Sequence, residues 1–424
     1  GWDQEVFMSM YNIGTCYKRL GNINAFVCSM LDAWNYRPTR VEPLFHVIQH
    51  YVEKEKYQIA MMFYDKAKNI TIPNDTLFIE GSLYGDKLDY LYTRIAYYCK
   101  ITEHVYKKFE TLFKSPNYNL QHLLSNYKYY VPIVKTKKTI DISSTESCVV
   151  DKQYTLHYGS TPSIIPCENG YIVNISLVNY SINSKGLKQN NTDIISVYNK
   201  CLTIDKEFNI LDKIIFENND YEKSKTQFYG IENLTLTTQK DAKPVFMGTV
   251  GNSDGTTCMC YGDYDTTKPM LQPKRLPEIE RKGCIIPDTN EIIHKWFPLT
   301  VCKITETNEL ETIHEKPMPY LLFSANGSSA GFRYKNELWF VVQYTFTSKD
   351  KPTYCLNGVI VLDTNYNCKW YSFPFKFSSK YMERCLGIIV DEQNILFTHS
   401  ENDTQSQISL VDKEIFVRDY KIIP

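Results

Sequence analysis

Few residues in this 424-residue chain stand at spacings that could do chemistry. Asp263-Tyr264-Asp265 has the Asp-x-Asp form that can hold a metal-bound nucleotide sugar, but the motif is short, and a strand running into a turn is the stronger reading. His46 and His50 lie four apart, which on a helix would put two imidazoles on one face for a metal. No Glu stands at 47 and no third ligand is evident, so the pair reads as surface or groove residues. Of the 13 Cys only Cys258 and Cys260 are close together, and no Cys-x-x-Cys starts a zinc site, so they read as reduced cytosolic thiols. GxxxxGK, GxGxxG, GxSxG and HExxH are all absent, which leaves no foothold for phosphate-loop, dinucleotide, serine-hydrolase or zinc-protease chemistry. Neither metal nor cofactor is expected. Asn-x-Ser/Thr at Asn69, Asn174, Asn233 and Asn326 is expected by chance in an Asn-rich chain.

Composition narrows the class. Lys+Arg number 47 against Asp+Glu 48, a formal net charge of -1 without long like-charge runs, so nucleic acid is not the expected partner. No stretch approaches about 18 consecutive apolar residues and no signal-peptide succession opens the chain, so neither a membrane span nor secretion is expected. Residue 1 is Gly and lies inside an expected helix, which suggests a processed protein or an internal fragment of a longer one.

Residues 8 to 113 repeat with a helical period. Met10 and Leu44, Ile13 and Val47, Tyr17 and Tyr51, and Ala33 and Ala67 each stand 34 residues apart, and Pro38 and Pro73 close the two units one residue out of step. That is tetratricopeptide spacing. Gly14 would let two helices approach, Tyr17 and Tyr51 would fill the wedge between them, and Ala33 and Ala67 would let the next unit stack. A divergent third unit spans about 87 to 113 on Ile95, Ala96, Cys99, Val105, Phe109 and Leu112, after a turn-rich excursion from Ile72 to Asp86. From about 155, short apolar runs such as 170–175, 244–248, 337–342 and 387–390 alternate with Asn, Asp, Gly, Ser and Lys clusters, and read as strands. So many short strands over ~270 residues fit a propeller better than a sandwich, and four strands per blade give about five blades. The expected fold class is α+β and multidomain: tetratricopeptide-like helical repeats over 1–116, a connector over 117–150, and an all-β five-bladed propeller over 151–424.

Two stretches then become recognisable. Ile13-Gly14-Thr15-Cys16-Tyr17-Lys18, with Ala33-Trp34-Asn35-Tyr36-Arg37-Pro38, Glu42-Pro43-Leu44 and Phe78-Ile79-Glu80, resembles the repeat region that follows a glycosyltransferase domain in bacterial and giant-virus proteins. Thr161-Pro162-Ser163, Val173-Asn174, Asn179-Tyr180, Tyr229-Gly230-Ile231-Glu232, Lys295-Trp296-Phe297-Pro298-Leu299, the stretch 338–342, the stretch 371–377 and Cys385-Leu386-Gly387 resemble, in order, the five-bladed propeller of glycoside hydrolase family 130. That family comprises mannoside phosphorylases and their relatives, and the likeness is to its divergent giant-virus version.

The resemblance implies an axial ligand pocket formed by Tyr229, Glu232, Asn233, Asn179, Arg333 and Asp403. In it Glu232 would stand at the channel mouth, Asp403 would be an inner-strand carboxylate of the last blade, and Arg333 would reach a sugar or phosphate. A structural hydrogen-bonding role for Glu232 and a solvated strand position for Arg333 are the plainer alternatives. Members that cleave glycosides carry Glu-Asp-x-Arg, with the Asp as general acid; here the stretch is Glu232-Asn233-Leu234-Thr235, and an Asn has no titratable proton to give. Further departures are Ser176 where an Arg is usual, Arg281-Lys282-Gly283-Cys284 where viral relatives have Glu-Lys-Asn-Trp, and Gln343 where His is frequent. The expected function is a carbohydrate-binding, glycosylation-related protein, the C-terminal part of a glycosyltransferase-like polypeptide, whose propeller binds a glycan or glycoconjugate without the family reaction. Two readings stay open beside it. One is a scaffold whose repeats and propeller bind protein partners in a virion or assembly; the other is a surviving glycosyltransferase or glycoside hydrolase/phosphorylase activity. The expected location is cytoplasmic: host cytoplasm, viral factory or virion.

Overall fold

The computed structural model describes residues 2–150, 153–183, 188–190, 194–217, 228–239, 241–252, 255–276, 283–346, 354–380 and 382–424. The chain forms two compact units, Gly1–Tyr130 and Val131–Pro424.

The first unit is helical. Helices α1 (Asp3–Arg19) and α2 (Ile23–Tyr36), α3 (Glu42–Glu53) and α4 (Tyr57–Ala67), and α5 (Asp86–Cys99) and α6 (Val105–Lys114) pair in sequence, followed by α7 (Leu120–Tyr127). Asn22 caps α2 by accepting from the Ala25 amide at 3.2 Å, and Pro43 occupies the first turn of α3, where no amide donor is needed. Several residues singled out in the sequence lie in helix contacts, whereas Ile13 is 52% exposed. A Cβ on Gly14 would meet Met30 at 3.1 Å, Ala33 and Ala67 are fully buried, and Tyr17 and Tyr51 pack around Phe26, Met30 and Val47. His46 meets the Tyr11 hydroxyl through Nε2 at 2.7 Å, and His50 is buried against Phe26 and Tyr51, so His50 is a core residue rather than a surface or groove one.

The excursion after α4 is held by charge. Arg40, wholly buried, grips Glu42 with Nε and Nη2 and reaches Asp75 at 3.1 Å and the carbonyls of Leu77 and Phe78. Arg37 also pairs with Asp75, and Tyr84 donates to Glu42 at 2.7 Å. A guanidinium with five donors can satisfy that many acceptors at once, which a lysine could not.

The second unit is a five-bladed propeller. Blade 1 contains Thr145–Val150, Gln153–Cys167, Gly170–Val178, Ile195–Asp205 and Ile210–Phe216; blade 2 contains Glu232–Thr238, Pro244–Gly251, Thr257–Asp263 and Lys274–Leu276. Blade 3 contains Cys284–Ile285, Glu291–Trp296, Leu299–Ile304 and Leu310–Lys316. Blade 4 has a split inner strand, Ala325–Gly327 and Phe332–Tyr334, then Glu337–Phe346, Tyr354–Asp363, Cys368–Ser372 and the terminal Lys421–Ile422. Blade 5 contains Glu383–Val390, Asn394–Glu401 and Gln405–Asp412, and Thr136–Asp141 from the start of the unit adds its outer strand. The stretch 117–150 is therefore not a connector: α7 belongs to the helical unit and both following strands belong to blades.

Strand direction fixes two ends of the axis. Each inner strand descends from one end, its partner returns, and the next turn lies again at the first end, here called the mouth. Among the described residues no helix is long and apolar enough to cross a membrane.

Candidate functional site: the axial mouth

Three inner strands begin irregularly at the mouth. Register shifts interrupt pairing between Ser160 and Pro162 in blade 1, Glu232 and Thr235 in blade 2, and Cys385 and Gly387 in blade 5. Bulges re-aim side chains, and here they turn polar groups of three blades toward each other. Thr161, Asn233, Asn402 and Asp403 all have positive φ, from 31° to 54°. For the β-branched Thr161 that conformation is a true outlier, and such strain concentrates at functional positions.

The side chains form one cluster. Tyr180 donates to Glu232 Oε1 at 3.0 Å, Arg384 Nη1 donates to Asn233 Oδ1 at 3.1 Å, and Arg384 Nε stands 3.6 Å from Asp403 Oδ1. Ser160 Oγ donates to the same Asp403 oxygen at 3.1 Å. Asp403 is 1% exposed, yet its Oδ2 has no hydrogen-bond partner among the described residues; nor do Asn402 Oδ1 and Thr161 Oγ1. Buried polar atoms are normally satisfied, so these three unpaired atoms mark a place where a further hydrogen-bond partner would fit.

The charges reinforce one another. Asp403's charge raises Arg384 above the usual guanidinium range against the opposing effect of burial. Burial, with Asp403 and Glu232 nearby, pushes Tyr180 well above the ordinary phenol range, so it stays a neutral donor. Behind Arg384 the preceding Glu383 is fully buried and accepts from the amides of Phe377 and Ser378, both at 2.7 Å, with Lys376 Nζ at 3.9 Å. Burial raises Glu383 and lowers Lys376. This pair fixes the strand start from which Arg384 projects.

The structure brings together Glu232, Asn233 and Asp403. Asp403 lies on the turn after the second strand of blade 5 rather than on an inner strand, and it reaches the axis because that turn returns to the mouth. Tyr229 stands three residues before Glu232, in register with Ser196. The Asn179 side chain donates to the Ile194 carbonyl at 2.7 Å and accepts from the Ser196 amide at 2.9 Å, which makes it a clamp between chain segments. Arg333 is at the other end of the axis, paired with Asp288 at 3.0 Å beside a cavity of about 270 Å³ lined by Ile164, Leu236, Thr237, Phe332 and Ile388 among others. The split inner strand of blade 4 carries it there, away from Glu232. Asp263-Tyr264-Asp265 is a strand end and turn: Asp263 pairs with Lys243, Tyr264 is buried and donates to Asn174, and Asp265 holds the Thr267 amide. Of the departures noted in the sequence, Arg281 and Lys282 lie outside the described residues.

Tyr180 and Arg384 were missed by sequence reasoning, although a lone Glu-Arg pair opening the apolar run 385–390 is a signal for the second. No group of three or more His, Cys, Asp or Glu among the described residues could hold a metal ion. What the mouth can do is accept hydrogen bonds through two carboxylates and donate them through a guanidinium.

No family model matches the chain, and no curated protein does. Among solved structures it is similar to a β-1,2-mannobiose phosphorylase from Listeria innocua, at 10% identity and a TM-score of 0.42 over 65% of this chain and 92% of that one. It is similar also to a mannose phosphorylase from Leishmania mexicana, at 8% identity and a TM-score of 0.43 over 70% and 94%. A glycosyl hydrolase from Bacteroides ovatus gives 10% identity and a TM-score of 0.44 over 67% and 91%. The five blades assigned above rest on strand pairing within this chain alone.

Proposed function

We propose that the propeller unit binds a glycan at its axial mouth and no longer performs glycoside cleavage or phosphorolysis. The observation that carries this reading is Asp403: a buried carboxylate with one oxygen open, set beside Arg384 and the Tyr180–Glu232 pair. Sugars present closely spaced hydroxyls that both donate and accept, and a ring of fixed carboxylate, guanidinium and phenol groups answers that pattern. Asn233, which binds Arg384, stands where the sequence resemblance calls for the proton donor, so general acid catalysis has no group there. The helical unit is read as tetratricopeptide-like repeats that engage a protein partner in a glycosyltransferase-associated, giant-virus-type polypeptide.

A glycan array on the whole chain, followed by hydrolysis and phosphorolysis assays on every hit, tests the reading. Binding without turnover, abolished by Glu232→Gln with Asp403→Asn, is the expected result. Turnover would restore the enzymatic alternative, and binding indifferent to both substitutions would remove the mouth from the account.

The scaffold alternative has one observation in its favour. Tyr98 and Tyr129 of the helical unit are more than half exposed, and Tyr97, 43% exposed, packs against both. Exposed tyrosines are characteristic of protein interfaces.

A further inference from the structure

The end of the axis away from the mouth has a cavity of its own, about 270 Å³, to which all five blades contribute. Blades 1, 2 and 5 bring the buried Ile164, Leu236 and Ile388, and blade 4 brings Phe332. Phe332 packs against apolar residues of blades 4 and 5 and also against those of blades 5 and 1, so it reaches past its own blade. The walls are tied from blade to blade. Thr237 Oγ1 of blade 2 donates to the Gly331 carbonyl of blade 4 at 3.3 Å, the Gly331 amide donates to the Ile285 carbonyl of blade 3 at 2.9 Å, and the Asp288 amide donates to the Thr238 carbonyl at 3.0 Å. The cavity is therefore formed before anything enters it, as small-molecule sites generally are.

Its rim is one ion pair. Arg333 Nε donates to Asp288 Oδ2 at 3.0 Å and Nη2 donates to the Pro287 carbonyl at 3.4 Å, while Arg333 Nη1 and Asp288 Oδ1 have no hydrogen-bond partner among the described residues. The two side chains are 34% and 35% exposed, so the rim meets water where the interior is apolar. The open groups are one donor and one acceptor, and the pair carries no net charge. An anion placed there would face Asp288 and a cation would face Arg333, whereas a neutral group that both donates and accepts satisfies the two together. The interior sets the rest of the ligand. Apolar cavities stay dry and take apolar bodies, and since about 150 Å³ holds a benzene, this one holds about ten non-hydrogen atoms.

We propose that this cavity is a second ligand site, for a small neutral molecule with an apolar body and one carboxamide or hydroxyl head group held between Arg333 and Asp288. No mouth residue takes part, so the inference stands apart from the glycan reading.

The test uses three probes that share one ring and differ in charge: benzamide, benzoate and benzamidine. Each is titrated calorimetrically into the full wild-type chain, Asp288→Asn and Arg333→Leu, with thermal melts verifying that the variants are folded. The wild type is expected to bind benzamide saturably and about fivefold more tightly than either ion, the scale of a partly exposed charge contact. Asp288→Asn leaves the guanidinium alone and is expected to bind benzoate best; Arg333→Leu leaves the carboxylate alone and is expected to bind benzamidine best. Absence of saturable benzamide binding by the wild type, or an order of preference unmoved in folded Asp288→Asn, would overturn the site. A wild-type preference for benzoate or benzamidine would overturn the neutral head group.

Discussion

Arg384 donates to the Asn233 side-chain carbonyl at 3.1 Å, joining the first turns of the inner strands of blades 5 and 2 and so passing over blade 1 between them. The same guanidinium faces Asp403 at 3.6 Å. One cation thus ties three mouth segments together, hydrogen-bonded to a neutral amide and facing a carboxylate.

Replacing Asn233 by Asp would restore the residue type of the family's acid, and the left-handed backbone at 233 accepts Asp as readily as Asn. It would not restore the acid. A carboxylate within hydrogen-bond reach of Arg384 has its pKa lowered, by about 1 to 3 units for such pairs, and is ionised at neutral pH. Asn233→Asp is therefore expected to leave mannoside hydrolysis at background from pH 5 to 8. A rate rising toward pH 5 would show that the proton donor had been regained.

Arg384→Met removes the only cation within ion-pair distance of Asp403 among the described residues and leaves a buried charge behind. Breaking a buried pair costs about 3–5 kcal/mol; with Arg384 25% exposed the lower part of that range applies. Thermal melting should drop by several degrees. Adding Asp403→Asn should recover most of the loss, because the stranded charge goes with it; a double variant no more stable than Arg384→Met would mean that the two residues act independently.

The helical unit should fail in acid at a particular place. Arg37's hydrogen bond holds the Asp75 carboxyl below its ordinary value, with Arg40 assisting. A depressed folded pKa contributes stability that is present above about 3.8 and is lost as pH falls through the folded value. Hydrogen exchange should therefore show residues 72–86 losing protection below pH 4 while protection persists at pH 6, and Asp75→Asn should abolish that pH dependence. Unchanged protection of the segment at pH 3 would contradict the role given to Asp75.

The pairing of helices in the first unit and the run of short strands in the second were legible in the sequence. Tyr17 and Ala33 have counterparts in Tyr51 and Ala67, and Gly14 serves one tight approach to Met30, because helix contacts demand particular sizes at particular places. Blade number followed from regular strand punctuation. The outer strand of blade 5 was not legible: Thr136–Asp141 is polar but for Ile140, and its partner lies 270 residues away, as between Thr139 and Ser409. The site divided along the same line. Glu232, Asn233 and Asp403 could be reached by resemblance, whereas Arg384 and Tyr180 join them only through bulges and turns that no local pattern announces. Arg333 was placed by resemblance alone, although the cluster Asn326-Gly327-Ser328-Ser329 is a turn-forming stretch that marks the split in the inner strand of blade 4.

The most direct measurement of the central claim is the affinity of the wild-type chain and of Asp403→Asn for the strongest glycan found on the array. Asn keeps the size and the backbone preference of Asp while removing the charge. Saturable binding by the wild type and a loss of tenfold or more in Asp403→Asn, with thermal melts verifying that the variant is folded, is the expected result. Equal affinity of the two proteins would contradict it.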